Sequence, residues 1–132
     1  MARVTGIGGV FLRARDPKTL LEWYRDNLGI KLTEYGGVEF VWDESEAPDG
    51  KGKTVWALFP TDTKHFGAGE QQAMMNFRVD DMDALLKQLA EAGVEIDPKR
   101  DDSEYGRFAW IVDLEGNRVE LWQPLPEPES AG

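Results

Sequence analysis

Residues 4–15 carry β-branched and aromatic side chains at apolar positions, and the run ends at Asp16-Pro17. β-Branched and aromatic side chains in that pattern predict a strand. Asp followed by Pro predicts a helix start, because the carboxylate caps free backbone N–H groups and the proline ring fits the first turn. From Lys18 the period changes: Leu20, Leu21, Tyr24 and Leu28 recur at helical spacing, and Gly29 supplies a stop. Strand-like runs return at residues 30–35, 38–42 and 54–59. Gly36-Gly37 joins the first two as a hairpin turn, whereas the acidic, glycine-bearing stretch 43–53 reads as a long exposed loop.

After Pro60 a polar segment runs to Gln71, and the order of elements begins again. Residues 74–79 read as a strand, and Asp80-Asp81 opens a helix with Leu85, Leu86 and Leu89 on one side, stopping at Gly93. Strands are predicted at 94–96, 108–112 and 118–122, the last two joined through the turn Asp113-Leu114-Glu115-Gly116-Asn117. At an offset of 65, Arg13 falls on Arg78, Asp16 on Asp81, Leu20 on Leu85, Leu21 on Leu86 and Tyr24 on Leu89. Both halves therefore read as βαβββ, an internal repeat. The expected organisation is one α+β domain over residues 1–123. Module one covers about 4–60, a linker about 61–71 and module two about 72–123, with a flexible, proline-bearing tail at 124–132.

Composition narrows the function. With 25 acidic residues against 15 Lys and Arg, the net charge of −10 repels a phosphate backbone and an anionic membrane alike, so neither nucleic acid nor membrane is an expected partner. Cysteine is absent, which removes disulfides, thiolate metal sites and a cysteine nucleophile. No apolar run approaches a membrane span and the first residues lack a signal-peptide core; a cytoplasmic location is expected. Five tryptophans supply broad apolar surface of the kind that lines ligand pockets as well as cores.

Three segments carry a family resemblance. They are Phe11-Leu12-Arg13-Ala14-Arg15-Asp16 running into Glu22-Trp23-Tyr24-Arg25-Asp26-Asn27-Leu28-Gly29; Phe77-Arg78-Val79-Asp80-Asp81; and Asp113-Leu114-Glu115-Gly116-Asn117-Arg118-Val119-Glu120-Leu121-Trp122. In this order and at these distances the chain resembles the vicinal-oxygen-chelate superfamily of glyoxalases, bleomycin-resistance proteins and dioxygenases, over about residues 4–123. The resemblance implies two βαβββ modules whose mixed sheet curves around a cup, with helices outside.

Strand alternation then assigns faces. Val10, Leu12 and Ala14 oppose Gly9, Phe11 and Arg13; Met75, Phe77 and Val79 oppose Met74, Asn76 and Arg78; Val119 and Leu121 oppose Arg118, Glu120 and Trp122. With the wholly apolar faces covering the helices, the cup is expected to be lined by Gly9, Phe11, Arg13, Met74, Asn76, Arg78, Arg118, Glu120 and Trp122. Trp56 joins them if Val55, Ala57 and Phe59 face the helices. Metal-dependent members of the superfamily place ligands early in the first strand and within the last strand of each module. Here those positions fall on Gly9, Met74, Trp56 (or Ala57 one residue along) and Glu120, and only Glu120 suits a divalent ion. No metal or other cofactor is therefore expected. The single histidine, His65, lies in the linker, off every ligand position, and reads as a solvated or lid-lining residue.

Glu120 between apolar neighbours is the candidate catalytic acid or base; pairing with Arg13, Arg78 or Arg118 is the alternative. Phe11, Arg13, Trp56, Met74, Asn76, Arg78, Arg118 and Trp122 are the candidate ligand-binding residues. Three functions follow in order of expectation. The first is a metal-free cup that binds and sequesters a small organic molecule, with the acidic charge favouring a cationic one. The second is a lyase, isomerase or dioxygenase-type enzyme relying on Glu120, with an atypical metal site or none. The third is an interaction module with a vestigial cup. Whether the chain is an enzyme stays open, and a homodimer is expected from the resemblance.

Overall fold

The computed structural model describes residues 2–33, 36–41, 52–67 and 70–125. Strand β1 (Val4–Ala14) leads through Asp16 into helix α1 (Pro17–Leu28), followed by β2 (Val38–Val41) and β3 (Lys53–Pro60). The second half runs β4 (Ala73–Val79), α2 (Met82–Glu91), β5 (Ile96–Ser103), β6 (Gly106–Val112) and β7 (Arg118–Gln123). Both helices start as the sequence predicts. The Asp16 carboxylate accepts from the Thr19 N–H at 3.1 Å, and that of Asp81 accepts from the Ala84 N–H at 3.1 Å. Helix α1 ends on Gly29 in the left-handed region, φ 68°, where its N–H returns to the Arg25 carbonyl.

All seven strands form one curved mixed sheet in the order β2-β3-β1-β4-β7-β6-β5. In each half the first strand lies at the centre and the last strand runs parallel to it; the strand before that pairs antiparallel outside, and β1 meets β4 antiparallel at the join. The repeat read from sequence is thus a topological one. It is incomplete in the first half: residues 30–33 form no strand, and Thr33 instead closes a turn onto Gly36 and Gly37. Tyr35 and Trp42, at the ends of two predicted strands, lie outside the described residues. In the second half the opposite occurs, because the predicted strand at 94–96 is displaced to Ile96–Ser103. That strand is the sheet edge and is charged and mostly exposed, with a proline and an irregular register between Ile96 and Arg100. These devices keep an edge from pairing with other chains, and they erase the apolar alternation by which strands are recognised.

Apolar residues pack on both faces of the sheet. On one face Val79, Ala109, Val119 and Leu121 meet Met82, Leu85 and Leu86 of α2. On the other, Phe11, Met74 and Trp110 gather with Phe66 from the inter-module segment, and Val55, Ala57, Phe59 and Phe108 pack around them. This second face is the cup.

Candidate functional site

Glu120 sits centrally on β7, and strand pairing decides its surroundings. Its register partner on β4 is Asn76 and its partner on β6 is Trp110, so both neighbours present side chains to the same face. Asn76 Nδ2 donates to Glu120 Oε1 at 2.8 Å, and Trp110 Nε1 donates to Oε2 at 3.1 Å. A third contact comes from outside the sheet: His65 Nε2 lies 2.8 Å from Oε2. The Glu120 side chain is only 3% exposed, and a carboxylate so deep is tolerated because donors surround it.

His65 is held over the cup by its own segment and by the walls. Its backbone N–H donates to Thr63 Oγ1, its carbonyl accepts from Arg118 Nε at 3.3 Å, and its ring stacks on Phe59 with centroids 5.1 Å apart and planes 12° apart. Phe11 and Trp110 flank it at 6.0 and 6.3 Å. The next residue, Phe66, is fully buried, so the linker is packed into the cup rather than solvated above it. The position of His65 off the strand ligand sites was legible in sequence; its reach onto Glu120 was not.

The remaining candidates divide. Phe11, Met74 and Asn76 are buried beside Glu120. Arg13 donates to the carbonyls of Gln71 and Thr61 and lies over the Phe66 ring, while Arg118 pairs with Asp97 at 2.6 Å and covers the Trp110 ring. The hydrogen bond from Arg118 holds the Asp97 carboxyl below the usual carboxylate range. Arg78 and Trp122 are buried together further along the cup, and Trp122 Nε1 donates to the Tyr105 carbonyl at 2.8 Å. No arginine among the described residues pairs with Glu120; the alternative that one does is corrected to Asn76, Trp110 and His65.

Trp56 is on the wrong face for the cup. Its ring meets Tyr24 of α1 at 4.8 Å, whereas Val55, Ala57 and Phe59 pack with the cup aromatics. Strand β3 is apolar on both faces, so hydrophobicity could not say which face took the helix. Trp110, Phe59 and Phe66 are among the cup residues that sequence reasoning left out; β6, like β3, is apolar on both faces, so hydrophobicity offered no signal for the first.

A profile described as the Glyoxalase/Bleomycin resistance protein/Dioxygenase superfamily matches residues 6–121. The chain belongs to this superfamily. No curated protein matches its sequence significantly. Among solved structures, methylmalonyl-CoA epimerase from Mycobacterium tuberculosis aligns with a TM-score of 0.62 at 23% identity, covering 94% of this chain and 91% of that one. The Streptomyces coelicolor methylmalonyl-CoA epimerase in complex with 2-nitronate-propionyl-CoA aligns at 0.68 and 18%, covering 92% and 99%. A superfamily member from Vibrio splendidus 12B01 aligns at 0.56 and 15%, covering 93% and 99%. At these identities the likeness is one of fold.

The donors present in this superfamily member do not fit the ion of its metal-dependent relatives. Gly9 has no side chain, Met74 offers a thioether at 0% exposure, and Ala57, which takes the third position now that Trp56 faces the helix, offers nothing. Glu120 and His65 make two ligands where catalytic zinc sites keep three, and among the described residues no three His, Cys, Asp or Glu side chains converge. The chemistry of the cup is accordingly derived from its own side chains.

Proposed function

We propose that this superfamily member binds a small planar organic molecule in its cup without a divalent ion. The observation that carries this reading is a polar site built into an aromatic wall. Glu120 is ionisable and 3% exposed, and beside it Asn76 Oδ1 is buried with no hydrogen-bond partner among the described residues. An orphaned buried acceptor costs stability, so such an arrangement is kept where something else supplies the donor. Phe11, Phe59 and Trp110 make the wall around that polar site aromatic.

The homodimer belongs to the same proposal, supported by the exposure of Phe40 and Val41 on edge strand β2 and of Trp23 on α1. Thermal-shift measurements with planar cations, planar anions and neutral rings test the binding itself, since a molecule that prefers the folded state raises its melting temperature. Binders are expected among the planar compounds, with the shift reduced in Asn76→Ala. A full panel without any shift overturns the proposal.

A further inference from the structure

We infer that residues 61–67 form a strap shut over the cup and latched by Arg13, and that a molecule reaches Glu120 and Asn76 only when the latch lets go. The inference rests on the binding role of the cup and adds how a molecule enters it. Glu120 and Asn76 are 3% and 2% exposed, and Phe11, Met74 and Trp110 around them are buried as well. The strap covers them. Phe66, at 0% exposure, packs with Phe11, Met74 and Trp110, and His65 Nε2 lies 2.8 Å from Glu120 Oε2. Whatever is to meet the carboxylate or the unmatched Asn76 Oδ1 has first to displace these two side chains.

The strap is arranged to lift as a unit. Its backbone bonds are internal turns, from the Thr63 N–H to the Pro60 carbonyl and from the Gly67 N–H to that of Lys64. Among the described residues no backbone bond ties it to a strand beyond its root at Pro60. Thr61, Asp62 and Lys64 are exposed, so His65 and Phe66 alone hold it down by deep packing. Its polar anchors to the sheet come from arginines. Arg13 Nη1 donates to the Thr61 carbonyl at 2.6 Å, its Nε donates to the Gln71 carbonyl at 3.0 Å, and its guanidinium lies 5.1 Å from the centre of the Phe66 ring. Arg118 Nε adds a longer bond, 3.3 Å, to the His65 carbonyl. One side chain thus grips the peptide on both sides of the strap together with the ring the strap carries, and that makes Arg13 the latch. Gly67 supplies the bend: its φ is 81°, and a Cβ there would come within 2.8 Å of Arg118 Cδ.

The fold does not depend on where the strap lies. The core between the sheet and α2, built on Val79, Met82, Leu85, Leu86 and Leu121, contains none of its residues, and the two halves are joined by strand pairing of β1 with β4. Lifting the strap is therefore a local opening that costs less than global unfolding, the range from which segments covering binding sites are drawn.

Hydrogen exchange at the Trp110 indole reads this opening with no ligand present. Its Nε1–H donates to Glu120 Oε2 beneath the strap, whereas the Trp122 Nε1–H donates to the Tyr105 carbonyl further along the cup. The two NMR resonances are assigned through Trp110→Phe and Trp122→Phe. In wild type the Trp110 indole is expected to exchange faster than the most protected ladder amides of β6 and β7, and with little dependence on urea, because a local opening exposes little new surface. Arg13→Gln should speed it about tenfold, the effect of losing bonds from a charged donor, while the Trp122 indole and the ladder amides keep their rates. Arg13→Lys, which retains the charge without the fork of donors, should fall between. Exchange of the Trp110 indole solely through the urea-dependent unfolding that releases the ladder overturns the inference. So does an Arg13→Gln protein in which every site accelerates equally or none does. If Arg13→Gln fails to fold, the urea dependence in wild type decides by itself. These readouts need no ligand, so the compound panel above judges the binding role separately.

Discussion

Glu120 gathers the buried polar contacts of the cup, and its neighbours state what replacing it does. In Glu120→Gln one amide oxygen replaces two carboxylate oxygens, so one of the N–H groups of Asn76 and Trp110 loses its acceptor. A loss of about 1–3 kcal/mol in folding stability is expected, the cost of a buried donor left unmatched. Urea denaturation measures it, and an unchanged midpoint contradicts the network. Gly8 is a second such position. A Cβ there would collide with Asn76 Oδ1 and come within 2.9 Å of the Trp122 ring, so Gly8→Ala should displace Asn76 and cost about 1–3 kcal/mol. At this scale the sequence was informative about Glu120, Asn76 and Met74, whose faces follow from simple alternation in β4 and β7. It was silent on Gly8, because the irregular pairing of β1 between Ile7 and Gly9 breaks the period on which alternation depends.

At the scale of elements, helix starts were legible and strand faces were legible only where one face was polar. Asp16 and Asp81 announced both helices, and each caps as its chemistry requires. Asp81→Ala is expected to cost about 1 kcal/mol, read from the same denaturation curves. Strand β3 defeated the method because Val55, Ala57 and Phe59 are as apolar as Trp56 and Leu58, and the cup is itself an apolar destination. The corrected face makes a prediction. Trp56→Ala should loosen α1 from the sheet, costing about 2–4 kcal/mol by loss of a large packed ring, while the affinity for any compound bound in the cup stays the same in calorimetry. A selective loss of affinity without loss of stability would return Trp56 to the cup.

For the whole molecule, charge sets the response to acid. Asp16, Asp83, Asp97 and Asp113 are all held below their ordinary value of 3.8 by hydrogen bonds: from Thr19, from Arg107, from Arg118, and from Asn117 in the turn before β7. Because the folded state favours their ionised forms, their contribution is complete above the ordinary value and disappears as pH falls through the lower folded values. Stability should therefore drop below about pH 4, and Asp97→Asn should flatten that drop in melting curves taken across the range. Protonation of other carboxylates between neutrality and the isoelectric region near 4.5 works in the other direction, by reducing self-repulsion, so the two effects separate along the pH axis.

The whole-molecule plan was readable as a repeat because each half must bury the same amphipathic pieces in the same order. The charged edge strand escaped because it lacks the alternation that burial imposes, and residues 30–33 misled because Ile30-Lys31-Leu32-Thr33 alternates without pairing into the sheet.

The peptide that connects the two halves is also the roof of the cup, and this gives the chain an unusual point of weakness. Lys64 is exposed one residue before His65, so a single tryptic nick there would release the roof. The halves themselves would stay clasped through the β1–β4 seam, and a resident molecule pinned beneath the roof would slow the cut.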